Sequence, residues 1–183
     1  MTSMNSTWQD IINLREELSK TLWDYWVRDN LFSWQWWFLL ITLILVYTIW
    51  WKLVDKKRLK EIMIFGLLIM IMSSILDIIG VDFMLWGYPN MIFPLAPPIV
   101  FDNYAMLPPV FSLIYQYSRN WRSFIIATIV MAGAFAFIVE PVLVWAIIFD
   151  LHNWHYAYSF LIYIVMGIAT KALVDKINKI SAA

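Results

Sequence analysis

Seven side chains able to take up or release a proton stand in or beside long apolar runs: Asp77, Asp82, Asp102, Glu140, Asp150, His152 and His155. Two of them, Asp77 and Glu140, fall inside the runs. An ionised carboxylate in hydrocarbon costs several kcal/mol unless it is paired, hydrogen-bonded or wetted, so each implies a polar site. Two carboxyls at one depth can divide the roles of general acid and base, or share a proton or ligand. Glu140 and Asp77 are therefore the expected acid/base pair. Pro141, next to Glu140, frees a backbone carbonyl that also needs a partner.

The elements that must position these groups are membrane helices. Residues are 62% hydrophobic and 14% charged, and the charges gather in short clusters between uncharged stretches. A span takes ~20 apolar residues at ~1.5 Å per residue. The chain reads as one all-α membrane protein, with an amphipathic N-terminal helix in 1–32 and a bundle of five transmembrane helices in 33–183, at about 33–52, 61–80, 99–118, 122–149 and 156–174. From Glu61 to Asp77 and from Ser123 to Glu140 the helices climb ~24–26 Å, which brings both carboxyls to one depth. Asp82, Asp102 and Asp150 begin or end helices in the same band.

Basic residues orient the bundle. Lys52, Lys56, Lys57, Arg58 and Lys60 fill the first connection, Arg119 and Arg122 the third, and Lys171, Lys176 and Lys179 the C-terminal end, whereas 81–99 and 150–155 contain none. The positive-inside rule then places the N-terminus outside and the C-terminus in the cytoplasm, with the acids in the outer leaflet. Trp34, Trp36, Trp37, Trp50, Trp51, Trp86, Trp121 and Trp154 cluster at helix ends, the usual station of an interfacial indole.

In the first 32 residues Trp8, Ile11, Ile12, Leu18, Leu22, Tyr25 and Trp26 recur at helical spacing opposite Asp10, Glu16, Glu17 and Asp24. Thr7 with Asp10 reads as a capping box. No basic start, apolar core and cleavage site mark a signal peptide. The helix suits the outer membrane surface, a protein partner, self-association or a cap on its own bundle, and its acidic face weighs against anionic lipid.

The segment from Leu85 through Trp86, Tyr88 and Pro89 to Pro94, Pro97 and Pro98 is apolar but too rich in proline for a helix. Such chain cannot face lipid, so it is expected to lie in the membrane interface as a loop or to fold over the outer pocket as a lid, with Pro108-Pro109 bending the third helix beneath it. The absence of cysteine excludes disulfides and thiolate chemistry. No glycine-rich phosphate loop, catalytic serine or zinc motif, or internal repeat is present, and a formal net charge of zero gives nucleic-acid binding no support. No motif implies a cofactor or a metal, although His152 and His155 leave a metal open.

Leu76-Asp77-Ile78-Ile79-Gly80, Leu85-Trp86-Gly87-Tyr88, Tyr115-Gln116-Tyr117, Glu140-Pro141-Val142-Leu143-Val144-Trp145 and Trp154-His155-Tyr156-Ala157-Tyr158-Ser159, in this order, resemble an uncharacterised family of small multispan membrane proteins from endospore-forming bacteria. Trp50-Trp51-Lys52-Leu53-Val54-Asp55-Lys56-Lys57-Arg58 fits the same family, which carries no assigned activity. The resemblance implies the bacterial cytoplasmic membrane. Asp82, Trp86, Tyr88, Asp102, Tyr115, Gln116, Trp145 and His155 are the expected ligand-binding residues around the acid pair.

Three functions fit these residues. One is an accessory or binding protein that holds a membrane lipid or a protein partner through the outer acidic pocket and the N-terminal helix. Another is an intramembrane enzyme doing isomerase-, cyclase- or hydrolase-like acid–base chemistry on a lipid-like substrate. The third is a small proton-coupled transporter, which the lack of repeats and of a midplane acid disfavours.

Overall fold

The computed structural model describes residues 7–95 and 102–181, apart from the side chains of Asp102, Asn103 and Ser181. It is all-helical in its regular structure, save one two-residue ribbon. Helix α1 (Trp8–Tyr25) runs into a wide π turn (Trp26–Asn30) and, after a tight corner, into α2 (Trp34–Leu53). A 3-10 turn (Lys56–Arg58) leads to α3 (Leu59–Asp82), and a π turn (Asp102–Met106) leads to α4 (Leu107–Tyr117). Helix α5 (Trp121–Ala134) passes through a third π turn (Phe135–Val139) into α6 (Glu140–Trp145), and α7 (Tyr156–Ser181) closes the chain. Strands β1 (Trp86–Gly87) and β2 (Asp150–Leu151) pair antiparallel, Trp86 opposite Leu151.

Four helical stretches are long and apolar enough to cross a membrane: Trp34–Leu53, Lys56–Asp82, Trp121–Trp145 and Tyr156–Ile180. This is a multispan membrane protein. The expected third span is shorter than the others; its helical residues among those described are 102–117, and 99–101 lie outside the described residues. Pro108 and Pro109 do not bend it midway. They occupy the first turn of α4, where a missing N–H breaks no intrahelical bond.

A short α4 is tolerated because other helices enclose it. Leu107, Phe111 and Tyr115 of α4 form one core with Phe65 and Ile69 of α3, Phe124 and Met131 of α5, and Met166 and Val174 of α7. Small residues permit the close approach: a Cβ on Gly167 would lie 2.7 Å from the Phe111 ring and 3.0 Å from Thr128. Helix α2 is peripheral, with Leu39 alone fully buried, while Ile41, Ile44, Leu45 and Ile49 are exposed, as suits a lipid-facing helix.

Helix α1 buries no residue. Its start is fixed by the expected capping box, Asp10 accepting from the Thr7 N–H and hydroxyl at 2.7 Å each. The option that α1 caps its own bundle is not realised: Trp8, Leu14, Leu18 and Trp23 all stand exposed. What attaches this region to the bundle is the π turn behind α1, through Trp26 and Asn30.

Candidate functional site

Asp77 lies four-fifths of the way along α3 and is 5% exposed; Glu140 opens α6 and is 3% exposed. Both line one cavity of about 70 Å³, together with residues of α4, α7 and the loops that follow α3 and α6. The convergence expected from helix lengths is thus present, and no lysine or arginine lines the cavity.

A local distortion turns Glu140 inward. In the π turn Phe135–Val139 the ladder slips one residue, so the Glu140 N–H donates to the Phe135 carbonyl instead of the next one along. The slip rotates everything that follows by about one residue of helix phase, ~100°. The same widening accommodates Pro141, which has no N–H to give.

Asp77 is held by the lid. Oδ1 accepts the Tyr88 hydroxyl at 2.6 Å and the Trp86 indole N–H at 2.9 Å. Glu140 Oε1 accepts the Tyr163 hydroxyl of α7 at 2.7 Å. The Ser159 hydroxyl also lies within hydrogen-bonding range of this carboxylate, whose second oxygen, Oε2, is buried. The remaining wall mixes aromatic and hydroxylic groups with the aliphatic Leu76, Leu107, Ile162 and Met166: Trp154 meets Trp86 edge-on at 4.8 Å and donates to Ser159 Oγ at 3.0 Å, and Phe149 packs against Tyr88 at 5.4 Å. Two carboxyls thus face neutral donors and π faces on one cavity with room for a few water molecules.

The lid is pinned from several sides. Asn30, 1% exposed, donates to the Pro89 carbonyl at 3.1 Å and accepts the Met91 N–H at 2.8 Å. Trp26 and Trp36 donate to the carbonyls of Met91 and Ile92, and Asn90 donates to Ile147. His152 and Asn153 both donate backbone N–H groups to the Leu85 carbonyl. Pro97 and Pro98 lie outside the described residues. Three turns at this end hold apolar residues in the left-handed region, Phe32 (φ 62°), Met84 (φ 54°) and Ile147 (φ 59°), of which Ile147 is the most strained because it is β-branched.

Of the ten expected site residues, Glu140, Asp77, Trp86 and Tyr88 come together at the cavity. Five others do not. Asp82 and Trp145 each stand five positions beyond an acid on the same helix, ~140° round it, and both are exposed, Trp145 by 82%. Tyr115 and Gln116 sit at the far end of α4, roughly 12–14 Å from its start, where Gln116 bonds the backbone of Leu53 and Asp55 and Tyr115 donates to Glu61. His155 is exposed and packs on Tyr158. The side chain of Asp102 lies outside the described residues. Tyr163, Ser159 and Asn30 were not expected: a hydroxyl within an apolar helix and a lone asparagine carry no motif. Among the described residues no three metal-ligating side chains cluster, and His152 faces Asp150 at 3.8 Å in an exposed loop.

No protein-family model, curated protein or solved structure matches this chain.

Proposed function

We propose that this is an accessory or binding protein of the bacterial cytoplasmic membrane, which holds a ligand or a group of a partner molecule in the Asp77–Glu140 cavity. The supporting observation is that two buried carboxyls line one cavity whose described lining includes no lysine or arginine. Buried acids without a counter-charge are costly, so a purely structural role explains the pair poorly. The distribution of lysine and arginine supports an outside N-terminus and an outward-facing cavity. The unpacked, amphipathic α1 supports a second contact, with a protein partner or another copy of the chain.

An enzyme acting on an acyl or isoprenoid chain has less support, because about 70 Å³ cannot enclose such a chain. A transporter has less still: there is no internal repeat, and Asp77 lies away from the middle of its helix.

The test combines mass spectrometry of molecules that co-purify with the protein and a double-mutant cycle of Glu140→Gln and Asp77→Asn. A shared site predicts loss of the co-purifying ligand in either single variant and a coupling energy of about 0.5–3 kcal/mol in melting measurements. Additive effects with no ligand in the parent protein would mean that the carboxyls do not act together.

A further inference from the structure

We propose that the groove between α2, α3 and α4 holds an acyl chain of an anionic phospholipid from the surrounding bilayer, with the lipid phosphate against Lys57 and Lys60. The site is separate from the Asp77–Glu140 cavity and shares no lining residue with it. Helix α2 leans on α4 and on the π turn before it rather than on α3. The gap on its flank is a groove of about 200 Å³, lined by Tyr47 and Trp50 of α2, Met63, Leu67 and Met70 of α3, and Ser112 of α4. Met63 and Leu67 are half exposed, so the groove opens sideways from helices long and apolar enough to cross a membrane.

Two observations select the occupant. The first is that the polar tips in the groove are already used. The Trp50 indole N–H donates to Ser112 Oγ at 2.7 Å, that hydroxyl donates to the Pro109 carbonyl at 2.9 Å, and the Tyr47 hydroxyl donates to the Tyr104 carbonyl at 2.5 Å. Water finds too few partners there, and an empty groove forfeits dispersion contacts along its whole lining. Hydrocarbon fills it, and for a membrane span the hydrocarbon at hand is an acyl chain. From Met63 to Met70 the α3 wall runs ~10 Å along the helix axis, which suits a run of methylenes.

The second observation is the charge at one end. Lys60, Met63, Leu67 and Met70 follow one another at steps of three and four residues, so Lys60 stands on the groove's own face of α3, one turn before Met63. The stretch Lys56–Asp82 has 27 residues, ~40 Å of helix against ~30 Å of hydrocarbon, so its first turn reaches the headgroups. Between positions 52 and 61, Lys52, Lys56, Lys57, Arg58 and Lys60 face only Asp55 and Glu61, and Glu61 is taken by Arg58 at 3.1 Å. Lys57 and Lys60 are exposed and form no ion pair among the described residues. This surplus complements an anionic headgroup, whereas a zwitterionic one brings no net charge to it.

The test is native mass spectrometry of the full chain released from nanodiscs of phosphatidylglycerol and phosphatidylcholine, mixed in equal parts and with identical acyl chains. A phosphatidylglycerol molecule is expected to stay bound while phosphatidylcholine is lost. Leu67→Trp and Met63→Trp, each putting a bulky ring into the groove mouth, should abolish that retention. Lys60→Gln should lower it about fivefold, the scale of one basic residue at an anionic surface. Ile75→Trp, exposed on the same helix outside the groove, and Lys179→Gln, in the last turn of α7, should leave it unchanged. Near-ultraviolet circular dichroism verifies that each variant is folded.

Equal retention in the parent and both groove variants places the lipid elsewhere and overturns the groove assignment. Equal retention of the two lipids, or no effect of Lys60→Gln, overturns the anionic headgroup. Equal losses in the groove variants and in Ile75→Trp reduce the bound lipid to a non-specific annulus, and absence of any retained lipid in the parent removes the site.

Discussion

Helix α3 carries a carboxylate near each end, and the two ends solve the same electrostatic problem in opposite ways. At one end Glu61 pairs with Arg58 at 3.1 Å and also accepts from Tyr115 and from Asn178 at 3.2 Å. Nearby, Lys171 pairs with Asp175 at 3.2 Å and lies 4.9 Å from the centre of the Trp121 ring. Both of these acids have a counter-charge, and the bonds of Glu61 tie α3, α4 and α7 together. At the other end Asp77 and Glu140 have only neutral donors, and space remains beside them. An acid on a membrane helix alone therefore does not identify a site. What separates a fastener from a binding group is whether a counter-charge answers it.

Breaking the charge-paired end should have the largest effect. Glu61→Ala leaves Arg58, Tyr115 and Asn178 without their shared acceptor and should destabilise the protein by about 2–3 kcal/mol in melting measurements. Glu140→Gln, at the end without a counter-charge, should shift stability by less than about 1 kcal/mol and in the upward direction, since a costly buried charge is removed. Equal losses in the two variants would erase the distinction.

Gly80→Ala sharpens the comparison from the lid side. A Cβ at Gly80 would lie 2.0 Å from the Trp86 ring, so the indole must leave its seat against Asp77. We expect a cost of about 1–3 kcal/mol, a red-shifted tryptophan emission and loss of bound ligand. Retention of the ligand would show that Trp86 does not seal the cavity.

The smallest effect concerns α1, where an exposed carboxylate accepts two hydrogen bonds from Thr7. The backbone N–H and then the hydroxyl of Thr7 hold the Asp10 carboxyl below its ordinary range. A lowered folded-state value means that the cap contributes above the ordinary aspartate range and is lost as pH falls through the depressed value. Amide hydrogen exchange across the first turn of α1 should therefore accelerate in acid relative to an unstructured reference, and Asp10→Asn should remove that pH dependence while the cavity end is unaffected.

The sequence alone revealed most of the frame and half of the site. Runs without charge located the spans, because lipid tolerates little else, and helix rise placed Asp77 and Glu140 at a common depth before any contact was known. Depth, however, does not give azimuth. Asp82 and Trp145 share the right depth and the wrong face, and only the π turn before Glu140 decides which face is inward. Tyr115 and Gln116 were grouped with the acids although their own helix carries them to the other end. Asn30 was invisible for a different reason: its value lies in bonds to Pro89 and Met91, some sixty positions later in the chain.

That asparagine has a kinetic consequence. The loop over the cavity is not a flap hanging from one hinge; Asn30, Trp26, Trp36 and Asn90 hold successive residues of it at once. Admission from the loop side requires several of these bonds to break together, so opening is a cooperative and infrequent event even where each bond alone is weak. Whatever occupies the cavity is then governed by the rate at which the loop detaches, and its residence time should outlast what two carboxylates and a ring of aromatic residues would confer in an open cleft.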